Sequence, residues 1–160
     1  MSCKTISFDS STTSTGYTVF IDGVFSYCNV IDKKKIKKSE DRVNEMISSI
    51  YKVIEKEKPD ICIWETPAGV KNPETQRNLN MIIGAILGKC LEQNIFHTSF
   101  RPSEWRKLIN VTNEKLPRKR EELKQWGINK VKELFDLDID IDDVSDSILI
   151  GQAYINKFSR

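Results

Sequence analysis

Lys4-Thr-Ile-Ser-Phe-Asp9 alternates polar and apolar side chains and ends on a carboxylate. A period of two is the pattern of a half-buried strand. Ile61-Cys-Ile-Trp-Glu65 also ends on a carboxylate, after a short and nearly unbroken apolar run. That is the pattern of a strand in the centre of a sheet. Between them, Gly16-Tyr-Thr-Val-Phe-Ile21 reads as a strand, Asp22-Gly23 as a hairpin turn, and Val24 to Ile31 as the returning strand. The polar link Ser10–Thr15 is short enough to be tight, which makes the first three strands a meander. Ser39 can cap a helix that runs to about Glu57, with Val43, Met46, Ile47, Ile50 and Ile54 on one face, and Pro59-Asp60 ends it. The helix turns the meander into a crossover that makes the fourth strand parallel to its neighbour. If that neighbour is the first strand, Asp9 and Glu65 stand side by side.

Downstream, the loop Thr66-Pro-Ala-Gly-Val-Lys-Asn-Pro73 leads to a helix with Leu79, Ile82, Ile83, Ile86, Leu87 and Leu91 on one side. Gly84 and Gly88 would let another helix approach closely, at a subunit interface or in internal packing. Asn94–Phe100 reads as a fifth strand and Pro102–Ile109 as a short helix with Ser103 near its start. A polar, basic loop over 110–119 follows. Arg120 to Phe135 is helical, with Leu123, Val131 and Leu134 inward, although Gly127 weakens that reading. A last helix runs from Asp142 to about Phe158 and is apolar almost all round from Ile148 to Ile155, hence buried. No internal repeat or domain boundary is evident, so residues 1–160 read as a single domain.

The composition, 30% charged and 39% hydrophobic, is that of a globular chain rather than a disordered one. The net charge of +2 decides little, but its distribution is uneven. Residues 101–132 hold ten Lys/Arg against four Glu, and residues 133–146 hold seven Asp/Glu and no base. Such a pairing suits an anionic polymer gripped by one stretch and processed by the other; two solvated helix faces are the alternative. Lys33-Lys-Lys-Ile-Lys-Lys38 is a charged loop that can touch phosphate, but such runs are more often simply solvated. Cys3, Cys28, Cys62 and Cys90 lack CxxC spacing, and the last two lie in apolar runs as core thiols. A reducing, cytoplasmic setting is expected, with no signal peptide, because the N-terminus runs directly into a strand. No apolar run approaches the roughly 18 residues of a membrane span.

Asp143 and Asp146, at i and i+3 near the start of the last helix, share one side of it about 5–6 Å apart. Asp142 is the expected N-cap, which leaves Asp143 and Asp146 free, but Asp142 and Asp143 can exchange these roles. Packing this helix over the sheet end would gather Asp9, Glu65, Asp143 and Asp146. Four such carboxylates repel one another and raise each other's pKa unless cations intervene. Oxygen ligands without a histidine favour Mg²⁺ or Mn²⁺ over zinc. Two such ions, about 3.5–4 Å apart, suit phosphodiester hydrolysis. His97, the single histidine, reads as a satisfied core or edge residue. Trp64, Trp105 and Trp126 read as packing residues, Trp105 the least clearly.

Ser7-Phe-Asp9-Ser-Ser, Thr15-Gly-Tyr17, Ile63-Trp-Glu65 and Asp143-Val-Ser-Asp146-Ser together resemble the RuvC-type Holliday junction resolvases of the ribonuclease H/retroviral integrase superfamily. Pro102-Ser-Glu-Trp-Arg106 and Arg120-Glu-Glu-Leu-Lys124 look like the compact bacteriophage members. The resemblance spans nearly the whole chain in order. It implies an α/β ribonuclease H-like fold, a mixed five-stranded sheet flanked by helices. It also implies a homodimeric, Mg²⁺-dependent endonuclease that cuts four-way DNA junctions in a bacterial or phage-infected cytoplasm. The implied catalytic residues are Asp9, Glu65, Asp143 and Asp146, with a basic partner that falls on Lys124 or else on Arg120 or Lys130. The basic stretch offers Arg118, Lys119, Arg120 and Lys124 for phosphate contacts, with Lys107 and Lys71 at the margin. Two departures stand out. Asp9-Ser-Ser replaces the Asp-Pro-Gly or Asp-Pro-Ser turn often seen there. Thr66-Pro-Ala-Gly-Val has no aromatic where cellular members stack one on DNA, which points to branched DNA cut with relaxed sequence preference.

Other readings remain open at this level. Asp9-Ser-Ser-Thr-Thr-Ser is similar to the phosphate loop of actin-like and sugar-kinase ATPases, but those need two related domains and glycine at the turn. A nuclease of the same fold acting on structured RNA and a non-catalytic DNA-binding module are the other two. No nucleotide cofactor is expected.

Overall fold

The computed structural model describes residues 1–158. Its sheet has the order β3-β2-β1-β4-β5, built from β1 (Lys4–Ser10), β2 (Ser14–Ile21), β3 (Val24–Asp32), β4 (Ile61–Glu65) and β5 (Phe96–Phe100). The pairs β1–β2 and β2–β3 are antiparallel, and β1–β4 and β4–β5 are parallel. The expected meander and crossover are both present, and β4 does lie beside β1. Asp22 and Gly23 have φ of 52° and 77°, the left-handed pair that a tight hairpin requires.

Strand parity sorts the side chains into two layers. Ile6, Phe8, Cys62 and Trp64 face α1 (Ser39–Glu57) and α2 (Pro73–Glu92), where Met46, Ile50, Ile54, Ile82 and Ile86 complete one core. Phe20, Ile63 and Phe100 face α3 (Pro102–Ile109), α4 (Arg120–Phe135) and α5 (Asp142–Phe158) in the other. Thr5, Ser7 and Asp9 share the α5 side of β1, so that face is polar. It is satisfied locally: Ser7 Oγ donates to Ser147 O at 2.7 Å, and Thr18 Oγ1 lies 2.8 Å from Ser147 Oγ. This lets α5 lie directly on the sheet. Its N-terminal turn passes so close to β2 that a β-carbon on Gly16 would run into the Asp143 carbonyl. Gly151 leaves room in the same way for Phe20 and Ser7 further along α5.

Several boundaries differ from the sequence reading. Lys38, not Ser39, holds the cap position of α1, and the Ser39 hydroxyl instead accepts from Asn78 Nδ2 at 2.8 Å. α3 keeps the expected bounds, Pro102–Ile109, and the Arg101 N–H ahead of it is satisfied by Glu104 Oε2 at 2.7 Å. β5 begins at Phe96 because Asn94 sits in a left-handed turn with φ of 54°. Leu134 is 47% exposed rather than inward, since α4 presents only Gly127, Lys130 and Val131 fully to the core. Leu87 and Leu91 also point outward, beside Gly84 and Gly88, and a β-carbon added at either glycine would have nothing within 4 Å. Internal packing therefore does not explain that glycine pair. No described helix is long and apolar enough to cross a membrane.

Candidate active site

The parallel register pairs Phe8 with Trp64, so Asp9 and Glu65, the next residue of each strand, emerge together at the sheet's end. α5 starts over the same end and brings Asp143 and Asp146. Asp142 is the first helical residue and not the cap; the Ile141 carbonyl accepts from Ser145 N–H at 3.0 Å and takes the capping position. The two acids therefore point to different partners. Asp142 turns toward α4 and pairs with Lys124 Nζ at 3.1 Å, while Asp143 turns toward the sheet and accepts from Ser14 Oγ.

All four residues of the cluster are half-buried, and desolvation is the first cause that raises the pKa of each. Asp9 stands well above the usual carboxylate range, through burial and then the charges of Glu65, Asp146 and Asp143. Asp146 is pushed up to about 7 by burial and by Glu65, against the opposing pull of Arg106. Glu65 is raised by burial, while the hydrogen bond from Trp105 and the charge of Arg106 pull the other way. Asp143 is raised by burial, offset by its Ser14 hydrogen bond and by Lys124 and Lys34. These directions describe acids that share one charge-poor place.

The donor set fits a hard divalent cation. It is all oxygen, with no imidazole or thiolate, and its members repel one another in the absence of positive charge. Among the described residues, no three His, Cys, Asp or Glu side chains are already drawn together at metal-ligand distance. The carboxylates are neighbours held by separate partners, Ser14 for Asp143 and Trp105 for Glu65, and do not form a closed cage. His97 lies on β5 with its ring stacked on Trp64 at 5.9 Å and Nδ1 3.1 Å from Ile95 O, and belongs to that packing.

The basic candidates separate. Lys124 is at the site through Asp142 and its effect on Asp143. Lys130 is buried and pairs with Glu114 at 3.0 Å and Glu133 at 2.9 Å. Arg120, Arg118, Lys119, Lys107 and Lys71 are exposed, and Lys119 pairs with Glu122 at 3.5 Å.

Four contributors escape the sequence reading. Trp105 is fully buried and donates Nε1–H to Glu65 Oε2 at 2.5 Å, so it orients a carboxylate as well as packing. Arg106 lies over the Trp105 ring at 4.7 Å, and its charge acts on Glu65 and Asp146. Its buried Nε has no hydrogen-bond partner among the described residues. Ser14 reaches Asp143 across 129 positions of sequence. Where α4 crosses α5, a β-carbon on Gly127 would stand 2.9 Å from Asp146 Oδ1, the outer end of that side chain. The short helix with Trp105 and Ile109 on one side carries a signal for the first two; nothing local to Ser14 or Gly127 does.

The sheet order and the helical layers make a mixed five-stranded α/β fold of the ribonuclease H-like type. The structure superposes on Thermus thermophilus RuvC in complex with a Holliday junction substrate with a TM-score of 0.73, at 13% identity, covering 96% of this chain and 93% of that one. A second Thermus thermophilus RuvC structure gives 0.72 at 13% identity, again covering 96% of this chain and 93% of that one. The yeast mitochondrial Holliday junction resolvase Ydc2 gives 0.63 at 17% identity, covering 96% of this chain and 79% of that one. No protein-family model matches the sequence, and a search of curated protein sequences finds no match.

Proposed function

We propose that this chain is a divalent-metal-dependent endonuclease that cuts four-way DNA junctions, and other branched DNA, with relaxed sequence preference. The observation that carries this reading is the placement of Asp9 and Glu65 side by side at the ends of β1 and β4, with Asp143 and Asp146 on the first turns of α5 over the same end. The likeness of the fold to a RuvC–junction complex and to a mitochondrial junction resolvase supports it.

Asp9, Glu65, Asp143 and Asp146 would hold two Mg²⁺ or Mn²⁺ ions. Those ions supply the positive charge that activates a water and stabilises the departing oxygen in phosphodiester hydrolysis. Trp105 fixes the Glu65 carboxylate, Ser14 turns Asp143 toward the sheet, and Asp142 steers Lys124 to the rim. Lys124 then steadies the scissile phosphate or the attacking water, and Arg106 provides a second positive group beside Glu65 and Asp146. Arg118, Lys119 and Arg120 grip backbone phosphates ahead of α4, with Lys107 and Lys71 at the edge. The 66–72 loop has no aromatic to stack on a base, which relaxes sequence preference.

Paired incision of a two-fold substrate requires two sites related by a two-fold axis. The exposed α2 face of Met81, Leu87 and Leu91 around Gly84 and Gly88 is the surface we assign to the homodimer. Parallel cleavage assays on four-way DNA, flaps and structured RNA with Mg²⁺ test the substrate. Preference for RNA would replace the DNA reading, and metal-independent binding with no cleavage would reduce the chain to a binding module.

A further inference from the structure

Lys33–Lys38 carries five lysines in six residues between β3 and α1. On sequence grounds it is an ordinary solvated run, but the fold gives it a fixed place. The C-terminal ends of β1, β3, β4 and β5 lie at one end of the sheet, so this loop leaves β3 at the carboxylate end. The Lys33 N–H donates to Thr13 O at 2.8 Å, which ties the loop to the turn that follows Asp9. Arg42, in α1, donates Nε–H to Thr12 O at 2.8 Å and Nη1–H to Ile36 O at 2.9 Å. The Lys34 N–H is held by Asp32 Oδ1 at 2.8 Å, and the Ile36 N–H closes a turn on Lys33 O at 3.0 Å. The backbone is thus braced while Lys34, Lys35, Lys37 and Lys38 are displayed to solvent.

Two of the lysines have acidic neighbours: Lys33 has Glu45 at 4.0 Å, and Lys38 has Glu40 at 3.9 Å and Asp41 at 3.8 Å. Lys34, Lys35 and Lys37 form no ion pair among the described residues. The sheet order puts β1 and β4 in the middle, the lysine loop on the β3 side, and α3 with the basic 110–119 loop on the β5 side. A polyanion laid across the carboxylates therefore meets fixed positive charge on both flanks. Exposed cations without acidic partners are those that release counterions from a nucleic acid, and a braced loop loses little freedom on binding.

We propose that the Lys33–Lys38 loop is a second phosphate-binding site, which holds the sugar–phosphate backbone of a DNA arm on the β3 side of the carboxylates. The segment ahead of α4 holds DNA on the other side. This rests on the nuclease reading above. Lys34, Lys35 and Lys37 make the contacts, and Arg42 is a positioning residue that keeps the loop in shape.

The test is Lys35→Gln/Lys37→Gln in the full chain, both positions being exposed and outside the carboxylate site. Binding of a labelled four-way junction is followed by anisotropy in EDTA across a salt series, alongside wild type and Arg118→Gln/Lys119→Gln. The log K against log salt slope is expected to shrink by about 1.8 for two lost contacts at about 0.9 each. The cleavage rate at saturating junction should stay within about twofold, and Lys35→Arg/Lys37→Arg should restore the wild-type slope. A reduced slope for Arg118→Gln/Lys119→Gln with a wild-type slope for the Lys35/Lys37 pair overturns the second site and leaves the nuclease reading standing. A wild-type protein with no salt dependence at all overturns the DNA reading itself, and the second site with it.

Discussion

Asp146 links protonation at the site to the stability of the metal-free protein. Its carboxyl is raised from the ordinary 3.8 to about 7, so the folded state holds its proton more tightly than the unfolded chain does. The stability this contributes is complete below about pH 4 and is lost as pH rises through about 7, an effect on the order of a few kcal/mol. Metal-free protein should therefore melt at a lower temperature at pH 8 than at pH 5.5. Asp146→Asn should narrow that difference, and Mg²⁺ should raise the wild-type melting temperature more at pH 8 than at pH 5.5. Calorimetry without and with Mg²⁺ checks the three together; a Mg²⁺ effect equal at both pH values would contradict the site. In the same cluster, Asp9→Asn, Glu65→Gln and Asp146→Asn should each abolish cleavage while junction binding is kept or tightened, because a metal ligand is lost and repulsion of phosphate falls. Near-normal cutting at millimolar Mg²⁺ by any of them would remove that residue from the ligand set. The acids are legible in the sequence because each stands at the end of an element with a clear hydrophobic period, at Asp9, Glu65 and Asp146. Ser14 is not, since its role depends on which side chain the fold sets opposite it.

At the scale of elements, α4 crosses α5 beside Asp146, with Gly127 facing that carboxylate. Gly127→Ala puts a methyl group 2.9 Å from Asp146 Oδ1 and should displace that carboxylate. The expected result is a lowered cleavage rate with stability changed by no more than about 1 kcal/mol, since the helix preference of Ala offsets the shift of the carboxylate; an unchanged rate would show that Asp146 can move without consequence. Lys124→Ala, on the same helix, should reduce the cleavage rate far more than the affinity. Equal losses in both would make Lys124 a phosphate contact only. Hydrophobic period identifies most helices and strands, while Gly127 looks in sequence only like a weak point in α4. Its closeness to the site comes from Asp146, 19 positions away in sequence, and no local period records such a contact. The cap of α5 departs from expectation for a related reason: Asp142 is drawn toward Lys124, and a backbone carbonyl takes the role its side chain would have had.

For the whole molecule, sheet topology follows from the hairpin signal at Asp22-Gly23 and the crossover helices α1 and α2, which leave β4 beside β1 and β5 beside β4. The surface is less legible. The same 3–4 spacing that puts Leu79, Ile82 and Ile86 in the core also carries Leu87 and Leu91, which the structure leaves outside. An apolar stripe wider than the core it covers is what a subunit interface adds to a helix. Leu87→Glu should convert a dimer to a monomer in sedimentation at micromolar concentration, with paired incision lost. A wild-type monomer with full junction cleavage would reject the interface. The central claim is met most directly by incubating the protein with a synthetic mobile four-way junction and Mg²⁺ and mapping cuts on all four strands. The account predicts paired cuts placed symmetrically on two opposing strands, absent in EDTA and absent with Asp146→Asn. Cleavage that persists in EDTA, or an intact junction at saturating protein and Mg²⁺, would contradict it.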